Sequence, residues 1–234
     1  MVKNLSEFRR GCPVHIKTCP VLGELSRLQK ECERLRELSH IDALTGFYNF
    51  RYLSTALETE MERTRRSGLP TSLIMIDLDH FKSINDNHGH ECGNQALRWA
   101  ASVWRENIRR IDIPCRYGGE EFSIILPGTR IQLALRAAER LRSVLSRSPI
   151  MFDGHEIVMT ASFGVDSYRL GEVTSTEALV KRTDEYLFQA KEMGRDRVCC
   201  NEALLSALRE TEVTEKEREV LLGKPEPGDR RKDS

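Results

Sequence analysis

The sequence predicts an α/β domain in which helices cover a central, mostly antiparallel sheet. Between residues 71 and 194, strand-like and helix-like segments follow one another in the order βαββαβ, which is the ferredoxin-like pattern. Adjacent glycines, Gly118 and Gly119, lie between the second and third strand-like segments, where they indicate a hairpin. The order of the segments and this central hairpin together predict the fold class.

Three strands and a helix form the first half of the pattern. An apolar run from Thr71 to Asp79 predicts a central strand that ends in two carboxylates. Helical periodicity extends from Asn94 to Ile108. Apolar residues on both sides of the glycine pair predict two hairpin strands, of which the second runs from Phe122 to Leu126 and ends at a Pro-Gly pair.

The second half consists of a helix, a strand and a helix. Residues Ile131 to Leu145 are amphipathic, His155 to Val165 is strand-like, and Thr176 to Met193 has a helical periodicity that Gly194 ends. These signals predict that the folded domain occupies residues 41–200.

Two extensions flank this domain. Residues 1–40 predict an N-terminal, cysteine-containing extension with an amphipathic helix, and residues 201–234 predict a charged C-terminal helix with a flexible, solvated tail. In the first extension, apolar residues recur at spacings of four and three, as in a coiled-coil seam: Val21, Leu25, Leu28, Cys32 and Leu35. Because the seam spans only two heptads, a dimerising coiled coil and an ordinary amphipathic helix both stay open.

The composition favours a cytoplasmic protein. Lys+Arg and Asp+Glu both number 36, so the formal net charge is zero and no basic field favours nucleic-acid binding. No apolar stretch approaches the roughly 18–20 residues of a membrane span, and no signal-peptide core begins the sequence. The 7 irregularly spaced cysteines suit a reducing compartment. The group Cys12, His15, Cys19 and Cys32 could bind a metal, sense redox state or have neither role.

The segment from Arg116 to Phe122 joins the two glycines to two carboxylates, Glu120 and Glu121. Glycine tolerates the positive φ of tight turns and lets another molecule approach the backbone. Adjacent carboxylates at such a turn repel each other and lose solvation, which a bound cation would offset. Taken alone, the segment is compatible with a solvated hairpin tip and with a ligand site.

Other charged residues point to chemistry on phosphates. Asp77 and Asp79 end the first strand, where they could share a face and bind Mg²⁺, or supply ordinary strand-end polarity. Lys82 follows this strand, while Lys191 and Arg195 flank Gly194 as phosphate ligands or as a helix C-cap. Carboxylates, a metal and cations together favour phosphoryl or nucleotidyl transfer.

Five ordered motifs between residues 41 and 200 closely resemble the GGDEF-type diguanylate cyclases of bacterial signalling. They are D-A-L-T-G-F-Y-N from position 42, D-L-D-H-F-K-S-I-N-D from position 77 with G-H-E-C-G-N from position 89, the signature variant G-G-E-E-F from position 118, F-G-V from position 163, and A-K-E-M-G-R from position 190. The resemblance implies a nucleotidyl-cyclase palm, in agreement with the βαββαβ pattern.

The resemblance also implies a role for each matching carboxylate. Asp77, Glu120 and the carbonyl of Leu78 would bind Mg²⁺ or Mn²⁺. Glu120 would be catalytic, as the base for a 3′-hydroxyl or as the group that organises the metal, with Glu121 beside it in the signature. Two GTP molecules, one in each domain of a homodimer, would be joined into cyclic di-GMP with release of two pyrophosphates.

Seven further residues match the substrate site of the family. Asn85 and Asn94 would contact guanine, and Gly118 and Gly119 would let the nucleotide lie close to the hairpin. Phosphates would be bound by Lys82, Lys191 and Arg195. In addition, Arg109 and Asp112, with Arg140 on the next helix, match the site at which the product cyclic di-GMP inhibits the family. Without the resemblance, these last residues could simply be a polar helix end.

The sequence departs from the family at Asn94, where an aspartate is usual. A carboxylate can accept from two guanine donors, whereas an amide offers one acceptor and could tolerate adenine. A relaxed enzyme that also uses ATP and makes cyclic GMP-AMP is therefore an alternative. The rival from another class is an inactive domain that binds cyclic di-GMP as a receptor, although the signature carboxylates and Asp77 favour activity.

Overall fold

The computed structural model describes residues 23–25, 27, 28, 31 and 40–201. Before position 40 the described residues are helical, and they include Leu25 and Leu28 of the seam. The other seam positions, the group of Cys12, His15, Cys19 and Cys32, and the extension beyond residue 201 lie outside the described residues. Within the described ranges, no helix has both the length and the hydropathy needed to cross a bilayer.

The domain contains eight strands and four helices between residues 48 and 200. In chain order they are β1 (Tyr48–Asn49), α1 (Phe50–Ser67), β2 (Thr71–Leu78), α2 (Phe81–Glu106), β3 (Ile113–Gly118), β4 (Glu121–Leu126), α3 (Ile131–Ser146), β5 (Ile150–Phe152), β6 (His155–Ile157), β7 (Ala161–Tyr168), α4 (Thr176–Glu192) and β8 (Val198–Cys200).

Six of these strands form one sheet, in the order β1-β3-β4-β2-β7-β8. The central strand β2 is antiparallel to both β4 and β7, and the hairpin strands β3 and β4 are antiparallel to each other. The parallel pairs, β1 with β3 and β7 with β8, lie at the two edges. The predicted βαββαβ core and its mostly antiparallel sheet are therefore confirmed.

The structure differs from the prediction in three respects. Helix α1 and the short edge strands were not predicted, although Leu53, Leu57 and Met61 recur at helical spacing in α1 and Gly68 ends it. Helix α2 begins at Phe81 rather than near Asn94, because a kink at Gly89, with φ 82°, interrupts its periodicity. The segment 155–165 is not one strand, since β6 pairs with β5 in a separate hairpin and β7 joins the main sheet.

Two hydrophobic clusters, one on each face of the sheet, form the core. All eight residues of β2 are buried, and their alternation sends Ile74 and Ile76 into the cluster with α2 and α3. Leu73 and Met75 enter the other cluster, with α1 and α4. Helix α4 lies so close to β7 that a Cβ at Gly164 would overlap the helix backbone. This contact brings the C-terminal end of α4 to the carboxylate end of β2.

Candidate active site

Three carboxylates meet where the central strand passes the hairpin. Asp77 on β2 lies directly opposite Glu121 on β4, and directly opposed residues of an antiparallel pair point to the same face. Glu120 lies in the turn that precedes β4, and its carbonyl accepts a hydrogen bond from the Leu78 amide, at 3.3 Å. The structure thus brings Asp77, Leu78, Glu120 and Glu121 together.

A lysine from α4 places its positive charge beside this cluster. Lys191 Nζ lies 2.8 Å from Asp77 Oδ2. Burial raises the pKa of Asp77, Lys191 opposes that effect, and the charges of Glu120 and Asp79 add to it. The pKa of Glu121 is likewise raised, first by burial and then by the charge of Asp77. The cluster therefore has more negative charge than Lys191 alone offsets.

The donor set fits a hard divalent cation. Magnesium in nucleotide sites is typically bound through one or two carboxylates together with phosphate oxygens of the substrate. Asp77, Glu120 and the Leu78 carbonyl supply oxygen donors of this kind. Among residues 40–201, no three His, Cys, Asp or Glu side chains form a ready-made metal cage. The oxygen donors of Asp77, Glu120 and Leu78 thus fit a hard divalent cation.

An arginine that the sequence arguments missed holds the hairpin turn. Arg116 Nε and Nη2 donate to the Gly119 carbonyl at 3.0 and 2.7 Å. The third nitrogen, Nη1, lies 3.2 Å from Asp42 Oδ2. Asp42 also accepts from the Thr45 amide and hydroxyl, at 2.9 and 2.6 Å. The turn after β3 is therefore tied to the first motif of the chain, and only the fold brings these residues together.

The two hairpin glycines leave the backbone open to another molecule, and neither is needed for an unusual backbone conformation. Neither Gly118 nor Gly119 has a positive φ, so the expectation that the turn needs that conformation is wrong. A Cβ on Gly119 would meet nothing within 4 Å, which leaves open space above the turn. At Gly118 a Cβ would lie 3.3 Å from Glu121 Oε2. The backbone here is accessible to another molecule.

The two asparagines predicted to contact a base lie on α2. A Cβ at Gly93 would overlap Asn85 Oδ1, so the Asn85 amide lies against the backbone next to Asn94. Both asparagines are half-buried, and Lys82 is exposed in the first turn of the helix. The kink at Gly89 brings the two asparagine-bearing segments of α2 together.

The second aspartate of the strand end does not join the carboxylate cluster. Asp79 Oδ1 accepts from the Ser162 hydroxyl at 2.7 Å. Its Oδ2 accepts from the Thr160 hydroxyl at 2.8 Å and from the Asp196 amide at 3.1 Å. Because β2 ends at Leu78, the alternation that would have placed Asp77 and Asp79 on one face does not extend to Asp79.

Comparison with known proteins assigns this arrangement of strand end and hairpin. The family model described as "Diguanylate cyclase, GGDEF domain" matches residues 39–197. The chain belongs to this family. The chain is 44% identical over 173 residues to the response regulator PleD of Caulobacter vibrioides, a match that covers 73% of this chain and 38% of that protein. The chain thus spans less than half of that relative's length.

Two solved structures show the same fold. The coiled coil and GGDEF domain of DgcB from Caulobacter crescentus, in complex with c-di-GMP, superposes with a TM-score of 0.66 at 28% identity, covering 77% of this chain and 95% of that one. The active GGEEF domain of a diguanylate cyclase from Vibrio cholerae has a TM-score of 0.61 at 32% identity, covering 65% of this chain and 96% of that one.

A second polar group of the GGDEF domain lies at the opposite end of β3. Asp112 is 8% exposed, and its Oδ2 accepts from the Arg109 amide at 2.7 Å. Its Oδ1 is buried without a hydrogen-bond partner among the described residues. Burial raises the pKa of Asp112, while the Arg109 amide and the charges of Arg109 and Arg140 oppose that shift. The three residues predicted for product binding are thus neighbours, about 20 Å from the hairpin turn along β3.

Proposed function

We propose that this GGDEF domain is a diguanylate cyclase, which joins two GTP molecules into cyclic di-GMP and releases two pyrophosphates. The observation that carries the proposal is the meeting of Asp77, Glu120 and Glu121 beside Lys191, on a fold whose family is named for this reaction. The raised pKa of Asp77 and of Glu121 supports a site that binds a cation.

Different residues of the site would bind the metal and accept the proton. Asp77, Glu120 and the Leu78 carbonyl would hold Mg²⁺ or Mn²⁺, which when bound would stabilise charge on the α-phosphate and lower the pKa of the attacking hydroxyl. Glu120 accepts the proton of the 3′-hydroxyl. The hydroxyl oxygen forms a bond to the α-phosphorus of the facing GTP, and the bond to the pyrophosphate oxygen breaks.

Cations and backbone complete the substrate site. Lys191, which pairs with Asp77, binds the triphosphate together with Lys82 and Arg195. The open space above Gly119 admits the nucleotide. Because one domain holds one GTP, two domains face each other, and a homodimer through the N-terminal helix would raise the effective concentration of the second half-site.

The base pocket contains two amides instead of an amide and a carboxylate. Half-buried Asn94 next to Asn85 offers a single acceptor, so guanine leaves one of its donors without a partner there. We propose that GTP is the substrate and that Asn94 reduces discrimination against ATP. A mixture of GTP and ATP at equal concentration would then yield some cyclic GMP-AMP. An Asn94→Asp variant is the matched comparison, and we expect it to form cyclic di-GMP alone.

The second polar group supports inhibition by the product. The unpaired Asp112 Oδ1 can accept from guanine, and the exposed Arg109 guanidinium can donate to its O6 and N7. We expect Arg109→Ala to abolish inhibition by added cyclic di-GMP while leaving the initial rate intact. Unchanged product sensitivity of this variant would remove the claim.

The deciding experiment is an assay of the full chain with GTP and Mg²⁺, in which cyclic dinucleotide and pyrophosphate are measured together. We expect Glu120→Gln to abolish both products. The matched control is Glu106→Gln, an exposed position at the end of α2. If the unmodified chain bound cyclic di-GMP but formed none, it would be a receptor instead of an enzyme.

A further inference from the structure

The two aspartates at the end of β2 hold the two ends of one short segment, Lys191 to Asp196. The side chain of Asp77 contacts Lys191 Nζ at 2.8 Å, and Asp79 Oδ2 accepts from the Asp196 amide at 3.1 Å. Between these contacts lies Arg195, which is also a proposed phosphate ligand. The strand end that carries the metal ligand thus also fixes the backbone of the phosphate-binding segment.

This segment has an unfavourable backbone conformation. Gly194 has φ 108°, and the next two residues, Arg195 and Asp196, have φ 62° and 43°. Two consecutive non-glycine residues in the left-handed region cost free energy and persist only where surrounding contacts impose them. The Arg195 amide donates to the Ala190 carbonyl at 3.0 Å, which holds one end of the turn. The other end is held at Asp196 and, one residue further on, by the Phe163 amide, which donates to the Arg197 carbonyl at 2.9 Å.

Asp196 is held from two sides. Asp79 is buried and already accepts from Ser162 and Thr160 of the β7 side, so it is a rigid acceptor for the Asp196 amide. From the opposite side, Arg142 of α3 reaches Asp196 Oδ1 at 2.8 Å and its carbonyl at 3.4 Å. Arg142 is itself oriented by Glu139, at 2.9 Å, and its side chain is 26% exposed.

We propose that Asp79 and Arg142 are positioning residues, which act through Asp196 to present Lys191 and Arg195 to the triphosphate. This inference rests on the proposed function. Neither residue belongs to the proposed metal, base or product-binding site. Arg142 therefore links the surface of α3 to phosphate binding.

The test compares Arg142→Gln with Arg136→Gln in the full chain. Arg136 is exposed on the same helix, so its substitution removes the same charge without this contact. We expect Arg142→Gln to lower kcat/KM for GTP about tenfold, mainly through KM, because misplacing a binding group by a fraction of an ångström is costly. Arg142→Lys, which retains one donor for Asp196, should recover part of this loss. The Arg136→Gln variant should resemble the unmodified chain.

A double-mutant cycle separates positioning from general stability. If Arg142 acts through Arg195, the loss caused by Arg142→Gln should largely disappear in an Arg195→Gln background. Equal losses in both backgrounds would overturn the proposal. Binding of the GTP analogue with a methylene between the α- and β-phosphates provides the same comparison without turnover. A chain that binds this analogue but forms no cyclic dinucleotide would refute the proposed function alone.

Amide hydrogen exchange of residues 191–197 gives a readout that needs no nucleotide. We expect faster exchange of this segment in Arg142→Gln than in Arg136→Gln, because the Asp196 amide loses a constraint. Unchanged exchange would overturn the proposal even if the protein bound no nucleotide. Asp79→Asn is the second variant, and its folding is checked first because Asp79 is buried.

Discussion

Arg116 offers a sharp test of how the hairpin turn is held. Its guanidinium bridges the Gly119 carbonyl and the Asp42 carboxylate through four contacts between 2.7 and 3.3 Å. Burial alone would raise the pKa of Asp42, but the Thr45 hydrogen bonds and the Arg116 charge outweigh it and hold that pKa below its ordinary value. Replacing Arg116 therefore affects both the turn and the first motif.

The expected loss of stability follows from these contacts. Hydrogen bonds to charged groups contribute roughly 1.5–3 kcal/mol when one partner is removed. The side chains of Arg116 and Asp42 are only 18% and 21% exposed, but Asp42 retains both of its bonds from Thr45. We therefore expect Arg116→Gln to lower the free energy of unfolding by about 2 kcal/mol. For a domain of this size, the corresponding fall in Tm is about 4–8 °C.

Activity should fall much further than stability. Displacement of the Gly119 carbonyl moves the turn that carries Glu120, and a misplacement of about 1 Å can cost a hundredfold in rate. Arg116→Lys retains a charge for Asp42 but cannot contact both Asp42 and the Gly119 carbonyl. It should therefore keep about half of the stabilisation that Arg116 contributes and little of the activity. Arg66→Gln, an exposed arginine in the last turn of α1, is the control and should change Tm very little.

The assay pairs thermal unfolding with initial rates of cyclic dinucleotide formation for each variant. The reasoning would be refuted by an Arg116→Lys variant with wild-type kcat/KM, because the β3–β4 ladder alone would then suffice to place the turn. An Arg116→Gln variant as stable as the Arg66→Gln control would contradict the stability estimate.

Three further predictions concern packing, acidity and thiol reactivity. Gly164→Ala should unfold or strongly destabilise the domain because its Cβ overlaps the α4 backbone, whereas Gly119→Ala, with open space around it, should leave Tm unchanged; thermal unfolding of both variants checks this. Because Asp77 and Glu121 have raised pKa values, their neutral forms favour the fold, a contribution that is complete below the ordinary carboxyl pKa and is lost as the pH rises through the raised values. Without metal, the Tm of Asp77→Asn relative to that of the unmodified chain should therefore increase as the pH rises through this range. Addition of Mg²⁺ and nucleotide together should raise the Tm of the unmodified chain only. Burial raises the pKa of Cys115 to about 12, so this thiol should resist alkylation at neutral pH until the protein unfolds, as mass spectrometry of labelled peptides would show.

Local patterns in the sequence were sufficient to predict the core of the fold and to name the carboxylates of the candidate site. A fully buried strand, an apolar hairpin and three amphipathic helices each have a periodicity that neighbouring residues determine. The positions of Asp77 at a strand end and of Glu120 beside a turn follow from the same signals. Helix α1 was missed although Leu53, Leu57 and Met61 recur at helical spacing before Gly68. The start of α2 was missed because the kink at Gly89 interrupts its periodicity.

Only the tertiary structure decided how these groups combine. It separated Asp77, which faces the carboxylates and Lys191, from Asp79, which binds the Asp196 amide instead. It also paired Arg116 with a carboxylate from the start of the domain. These contacts join residues far apart in the chain, and they depend on strand register, on where β2 ends and on the close packing of α4 against β7. Local periodicity contains no information about such pairings, so the sequence could name the candidate residues but not their partners.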